Sequence, residues 1–154
     1  MSQHDVHDVI AKLVPPGSRV LDLGCGNGAL LAHLRDARQC TGYGIELDDA
    51  KVMQCVQRGV NVIQRNLEEG LSLFEDNSFD VVLQIDTLQH LRNTVDMLRE
   101  TDCIWIAASR RSFPVAVYLD YALQHTDKRV CLMSALGHMH LGYGMMVLYS
   151  RMGW

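Results

Sequence analysis

A chain of 154 residues is long enough for one domain around a single buried core and too short for two of ordinary size. With 48% apolar and 21% charged residues it has the balance of a globular protein, and a net charge of −4 with a pI near 5.9 gives no basic excess to attract a nucleic-acid backbone. No segment reaches the roughly 18 uninterrupted apolar residues of a membrane span, and the first twenty residues lack the basic-then-apolar order of a secretion signal, so a cytoplasmic protein without a membrane partner is expected.

In chain order, His4 to Val14 carries Val6, Val9, Ile10, Leu13 and Val14 at helical spacing, and Pro15-Pro16-Gly17 stops it. Ser18 to Leu23 is short and apolar, as a buried parallel strand is. Ala29 to Asp36 returns to helix spacing, and Thr41 to Glu46 is a second strand. Asp48 and Asp49, followed by Val52, Met53 and Val56, open a third helix with acids at its positive end. Val60 to Arg65 reads as a third strand, and Phe79 to Ile85, after the turn Glu75-Asp76-Asn77-Ser78, as a fourth. Thr94 to Glu100 resembles the end of a helix and Cys103 to Ala108 a fifth strand. Val115 to Leu123 and Met145 to Tyr149 can form a helix and a strand around an irregular, methionine-rich stretch with Gly137, Gly142 and Gly144.

Strands alternating with helices predict an α/β fold: a doubly wound, mostly parallel sheet with right-handed crossovers and helices on both faces. In such a sheet a ligand sits beyond the carboxyl ends of the strands, where the strand order reverses, and the first glycine loop falls there. The five cysteines, Cys25, Cys40, Cys55, Cys103 and Cys131, are odd in number and contain no Cys-x-x-Cys pair, which suits reduced core thiols. His4/His7 and His138/His140 have spacings open to metal ligands, but neither stretch supplies a third ligand, so no metal site is expected.

Gly24, Gly26 and Gly28 lie between a strand and a helix, the setting in which such glycines let the backbone approach a ligand and offer helix N–H groups to an anion. Gly24-x-Gly26-x-x-Ala29 also satisfies the dinucleotide fingerprint, which keeps an NAD-dependent oxidoreductase open as the weaker reading. Asp22 argues against it. A carboxylate at the mouth of the first strand repels a pyrophosphate and attracts a cationic amine, which suits S-adenosylmethionine with its ammonium and sulfonium. Glu46, at the end of the second strand, is placed to accept hydrogen bonds from both ribose hydroxyls. Asn66 can offer its amide to the adenine edge, or serve as a turn or helix cap. Cys25, Leu47 and Leu67 complete the expected cofactor lining, with Cys25 taken as a small packing residue because no base is evident beside it.

Val20-Leu-Asp-Leu-Gly-Cys-Gly-Asn-Gly28 and Gly44-Ile-Glu-Leu-Asp48 resemble motifs of the class I S-adenosylmethionine-dependent methyltransferases. Pro16-Gly-Ser-Arg19, Gly59-Val-Asn-Val-Ile-Gln64, Glu69-Gly-Leu71 and Thr87-Leu-Gln89 narrow the resemblance to the methionine biosynthesis family MetW, over about residues 8–114. The resemblance implies a Rossmann-like methyltransferase fold and a role beside homoserine O-acyltransferase in making methionine. It implies that Asp22, Gly24, Gly26 and Gly28 line the methionine part of the cofactor and Glu46 the ribose, while Asn66 stands where methyltransferases usually have Asp. Residues 1–114 would then form the S-adenosylmethionine-binding domain, and 115–154 a divergent segment of the same domain.

Ser112-Phe113-Pro114 still matches the family, but its later Arg-Met-Pro and Trp-Tyr-Asp are absent, so the C-terminal part is expected to be incomplete or atypical. The codons for Arg129-Val130-Cys131 and for Tyr143-Gly144-Met145-Met146 permit those two motifs in one other phase; a shifted reading frame would account for the departure, and the DNA sequence would check it. The family's sheet normally gains an antiparallel hairpin after strand five that covers one edge and part of the substrate pocket. For chemistry, Asp86 and His90 after strand four are candidates for a base or an orienting pair, with a helix cap and a partly buried polar residue as their plain alternatives. A small-molecule methyltransferase of unspecified acceptor is therefore the alternative to a partner-bound role.

Overall fold

The structure, a computed structural model, describes residues 3–69, 73–75, 78–85, 103–108, 113–132 and 145–150. Helix α1 (Gln3–Leu13) precedes β1 (Arg19–Leu23), α2 (Ala29–Arg38), β2 (Thr41–Glu46), α3 (Asp49–Gln57) and β3 (Val62–Gln64). A 3₁₀ turn at Leu67–Glu69 follows, then β4 (Val81–Ile85), β5 (Cys103–Ala108), α4 (Phe113–Leu123), β6 (Arg129–Leu132) and β7 (Met145–Ser150). The seven strands form one sheet in the order β3-β2-β1-β4-β7-β5-β6. Pairings β1–β2, β1–β4, β2–β3 and β5–β6 are parallel, and β7 is antiparallel to both neighbours. The expected α/β architecture is present. Chain direction across the sheet reverses at β1, between β2 and β4, so the switch point lies at the carboxyl end of β1.

The alternation of β1 divides the core. Val20 faces α1 and α2, in a cluster with Ile10, Val14, Leu30, Leu31 and Leu34, while Leu21 and Leu23 face the opposite side with Ile45. Phe74 and Phe79 close that second face, their rings 4.8 Å apart edge to face. Each fully buried leucine or isoleucine contributes about 1.5–3 kcal/mol, so the two faces share the stabilisation. Helix α1 is tied down at its carboxyl end, where the Arg38 guanidinium donates to the Val14 carbonyl at 3.1 and 3.2 Å and the Gly17 N–H donates to the Arg38 carbonyl at 2.9 Å. No helix among the described residues is long and apolar enough to cross a membrane.

Two features depart from expectation. The sequence reading missed β6, which pairs in parallel with β5 at the sheet edge, and the antiparallel strand β7 lies inside the sheet instead of covering its edge. The compositions account for the exchange: Met145-Met-Val-Leu-Tyr149 is apolar throughout and suits pairing on both sides, while β6 begins with the exposed Arg129 and tolerates an open edge. The predicted helix end at Thr94–Glu100 lies outside the described residues.

Gly44 in β2 marks a close approach between the sheet and the first loop. A Cβ there would stand 2.7 Å from the Cys25 Cβ and 3.1 Å from Leu31 Cδ1, so no side chain fits without displacing both. Gly44→Ala is expected to lower stability by about 1–3 kcal/mol, the cost of overpacking, and the added substitution Cys25→Ala to recover part of it. Denaturant midpoints of the two variants check this; equal midpoints for Gly44→Ala and the unaltered chain would contradict it.

Candidate functional site

The first loop is stitched to the end of β2 by two N–H donors, Gly24 and Cys25, that share the Ile45 carbonyl at 2.9 and 3.0 Å. The turn then passes through left-handed backbone at Gly24, Gly26 and Gly28, with φ of 77°, 58° and 73°. Gly28 is the N-cap of α2, and a Cβ on it would meet Cys55 Sγ at 2.9 Å, so both conformation and space exclude a larger residue. Asn27 supplies the missing cap: its Oδ1 accepts from the Ala29 N–H at 3.1 Å.

A cavity of about 950 Å³ opens at the carboxyl ends of β1, β2 and β3, with Ile85 of β4 at its border. Asp22, Gly24, Cys25, Gly26, Glu46 and Leu47 line it, joined by Asn66 and Leu67 from the segment after β3. Of the residues expected to form a cofactor site, Gly28 alone is not in the lining; it holds the turn from behind. Asp86 and His90 lie outside the described residues.

Asp22 is the unusual group. Its residue is 3% exposed, and its carboxyl receives no hydrogen bond from any described residue. Burial, reinforced by the negative charge of Glu46, pushes its pKa up to about 7. Buried carboxyls normally find a donor or a counter-charge, and an orphan one bordering a cavity is a site for a cation.

Glu46 has the opposite environment. Its Oε2 accepts from the Gly26 N–H at 2.9 Å, and its Oε1 from the Leu47 and Asp48 N–H groups at 2.9 and 3.0 Å. Three of a carboxylate's roughly four acceptor positions are thus taken, which leaves Oε2 room for one hydroxyl where the sequence suggested two. Glu46→Ala is expected to cost about 1–3 kcal/mol of stability by leaving those three N–H groups without their acceptor, measured by chemical denaturation. An unchanged midpoint would show that water replaces the carboxylate at no cost.

Cys25 packs rather than reacts. Its sulfur lies 3.8 Å from Cys55 Sγ, which in turn donates to the Gly26 carbonyl at 3.2 Å. Burial, with Asp22 and Cys55 close by, drives the Cys25 thiol well above its ordinary pKa, so it stays protonated. Asn66 fulfils its plainer role in part, its Oδ1 accepting from the Glu68 N–H at 3.0 Å at the start of the 3₁₀ turn. Its amide nitrogen remains a donor on the cavity border.

Sequence reasoning missed His7, Lys51, Gln54 and Arg65 in the lining. His7 had a usable signal, since it stands three residues before Ile10 and seven before Val14, on the core-facing stripe of α1. Lys51 and Gln54 carry no such sign, because their approach depends on how α3 docks against the sheet.

The fold and its glycine loop define a class, the Rossmann-like S-adenosylmethionine-dependent methyltransferase fold. A TehB-like methyltransferase from Corynebacterium glutamicum superposes with a TM-score of 0.56 at 12% identity, covering 95% of this chain and 86% of that one. A methyltransferase from Archaeoglobus fulgidus gives 0.53 at 12% identity, over 97% of this chain and 95% of the other. The profile of the family described as methionine biosynthesis protein MetW matches residues 4–129, and the chain belongs to that family. The match runs past Ser112-Phe113-Pro114, further than the sequence motifs had indicated. Among curated relatives, the bifunctional methionine biosynthesis protein MetXA/MetW of Rhodopirellula baltica is 40% identical over 99 residues, 59% of this chain. A ubiquinone biosynthesis O-methyltransferase of Xanthomonas axonopodis pv. citri is 34% identical over 95 residues. The aligned regions span only 16% and 40% of those two proteins.

Proposed function

We propose that the cavity binds S-adenosylmethionine and that the chain serves methionine biosynthesis in association with a homoserine O-acyltransferase. The observation that carries the cofactor reading is Asp22: a buried carboxyl on the cavity wall, without a hydrogen-bond donor among the described residues, suits the ammonium of an amino-acid nucleoside and opposes the pyrophosphate of NAD. The bound cofactor would supply a methyl group activated on a sulfonium. The chain's own contribution is binding and orientation, with Asp22 meeting the ammonium, the Oε2 of Glu46 accepting from one ribose hydroxyl and the Asn66 amide donating to the adenine edge.

The partner reading draws on the Rhodopirellula protein, whose name joins MetXA and MetW in one chain. Fusion gives two domains a high effective concentration, which suits a pair that works together. Helix α4 offers a surface for such contact, because Val115, Val117, Tyr118 and Tyr121 are all exposed along it. Calorimetric titration with S-adenosylmethionine and with NAD tests the cofactor, and binding of NAD alone would overturn it. Co-purification with the acyltransferase, followed by its assay with and without this chain, tests the partnership; absence of both binding and stimulation would refute it.

A second reading, a methyltransferase acting on a small molecule, is favoured by the likeness to the O-methyltransferases. Consumption of S-adenosylmethionine in the presence of a candidate acceptor, without the acyltransferase, would select it.

A further inference from the structure

Resting on the cofactor reading above, the geometry points to His7 as a specificity residue: we propose that it donates an N–H hydrogen bond to the α-carboxylate of the bound amino-acid nucleoside. Four observations converge on it. By strand alternation, Asp22 shares the face of β1 that carries Val20, and Val20 packs in one cluster with Ile10 and Val14 of α1. The tight turn at Pro15-Pro16-Gly17 sends β1 back along α1, so a step from Val20 to Asp22 is matched by a step from Ile10 back to His7. His7 borders the same cavity as Asp22. Its ring is also held from the side, 5.9 Å from that of His33, while His33 Nε2 lies 3.0 Å from the Asp8 carboxylate and couples α1 to α2.

The ligand's chemistry creates the need. Its carboxylate is carried by the same carbon as its ammonium, so placing the ammonium on Asp22 brings a second negative group beside a carboxyl already repelled by Glu46. The end of α2 helps less than a bare helix terminus would, because the Ala29 N–H is already bonded to Asn27. Of the other side-chain donors in the lining, Asn27 belongs to the glycine loop, where its Oδ1 is held by the Ala29 N–H, Lys51 and Gln54 belong to α3, and Arg65 and Asn66 follow β3. Strand β3 stands two places from β1 in the sheet, about 10 Å away at ordinary strand spacing. His7 is the donor that α1 brings to the cavity, on the face of β1 that carries Asp22.

The test compares two ligands that differ only at that end: S-adenosylhomocysteine, with the whole amino-acid moiety, and 5′-methylthioadenosine, without it. His7→Ala is expected to weaken the first about tenfold, the scale of one charge-assisted hydrogen bond, and to leave the second unchanged. His7→Gln, which restores an N–H donor, is expected to recover most of the loss. Equal weakening of both ligands would assign His7 a purely structural role, and no weakening of either would remove it from the site; both results overturn the proposal while leaving the cofactor reading intact. An unaltered chain that binds neither ligand would overturn the cofactor reading and this one with it.

Discussion

Asp22→Asn is expected to weaken S-adenosylmethionine binding about a hundredfold and, at the same time, to make the ligand-free protein more stable. The first effect follows from removing one partner of a buried charge pair, which costs about 2–5 kcal/mol. A hundredfold is about 2.7 kcal/mol, within that range. The second follows from linkage. With a carboxyl pKa of 3.8 in the unfolded chain and about 7 in the folded one, the native state holds a proton that the unfolded state has lost, so stability falls as pH rises between those values. Above pH 7 the full penalty applies, on the order of 4 kcal/mol for a shift of about three units. Burying the asparagine amide takes back about 1–3 kcal/mol of this, leaving a net gain of a similar size at pH 8 and a net loss at pH 4, where little of the penalty remains to be removed. Calorimetric titration and denaturant midpoints at the two pH values check both halves. Unchanged affinity would remove Asp22 from the binding site, and a loss of stability at pH 8 would mean that the carboxyl has a partner in the folded protein.

Affinity for the cofactor is expected to rise with pH, steeply below pH 7. A cation selects the ionised form of Asp22, which makes up about a tenth of the protein one unit below a pKa of 7 and about a hundredth two units below. The dissociation constant should therefore fall about tenfold from pH 5 to pH 6 and flatten above pH 7. The ligand's own ammonium, with an amino pKa near 8, stays charged over the rising part. Binding at pH 6 should release close to one proton, seen as a dependence of the measured heat on the buffer's ionisation enthalpy. The comparison that isolates Asp22 is the Asp22→Asn variant, in which that proton should disappear. Equal proton release by both proteins would assign it elsewhere.

Much of the fold was legible because the determining interactions are local. The bounds of β2 and β5 were read correctly, and α1, α3 and α4 to within a residue or two, since periodicity and capping residues write them directly: Asp48, at the N-cap of α3, accepts from the Lys51 N–H at 3.0 Å. The glycine loop with its acids was legible for a related reason, because few side chains tolerate left-handed backbone and few ligands tolerate a neighbouring carboxylate. The position of β7 was not legible. Whether Met145-Met-Val-Leu-Tyr149 inserts between β4 and β5 or covers an edge depends on the pairing of segments far apart in the chain, which local pattern does not encode. His7 was missed for a partly similar reason: its place on the core-facing stripe of α1 could be read, but its entry into the cavity lining depends on how the chain doubles back at Pro15.

The bonds on Glu46 have a kinetic consequence. Because its carboxylate already gathers the backbone of Gly26, Leu47 and Asp48, the loop adopts its receptive shape during folding and not on the arrival of a guest. The ordering entropy that a floppy cradle would charge to each association event has been spent beforehand for this loop, so its part in capture should be governed by encounter and desolvation and not by a slow ordering of its own.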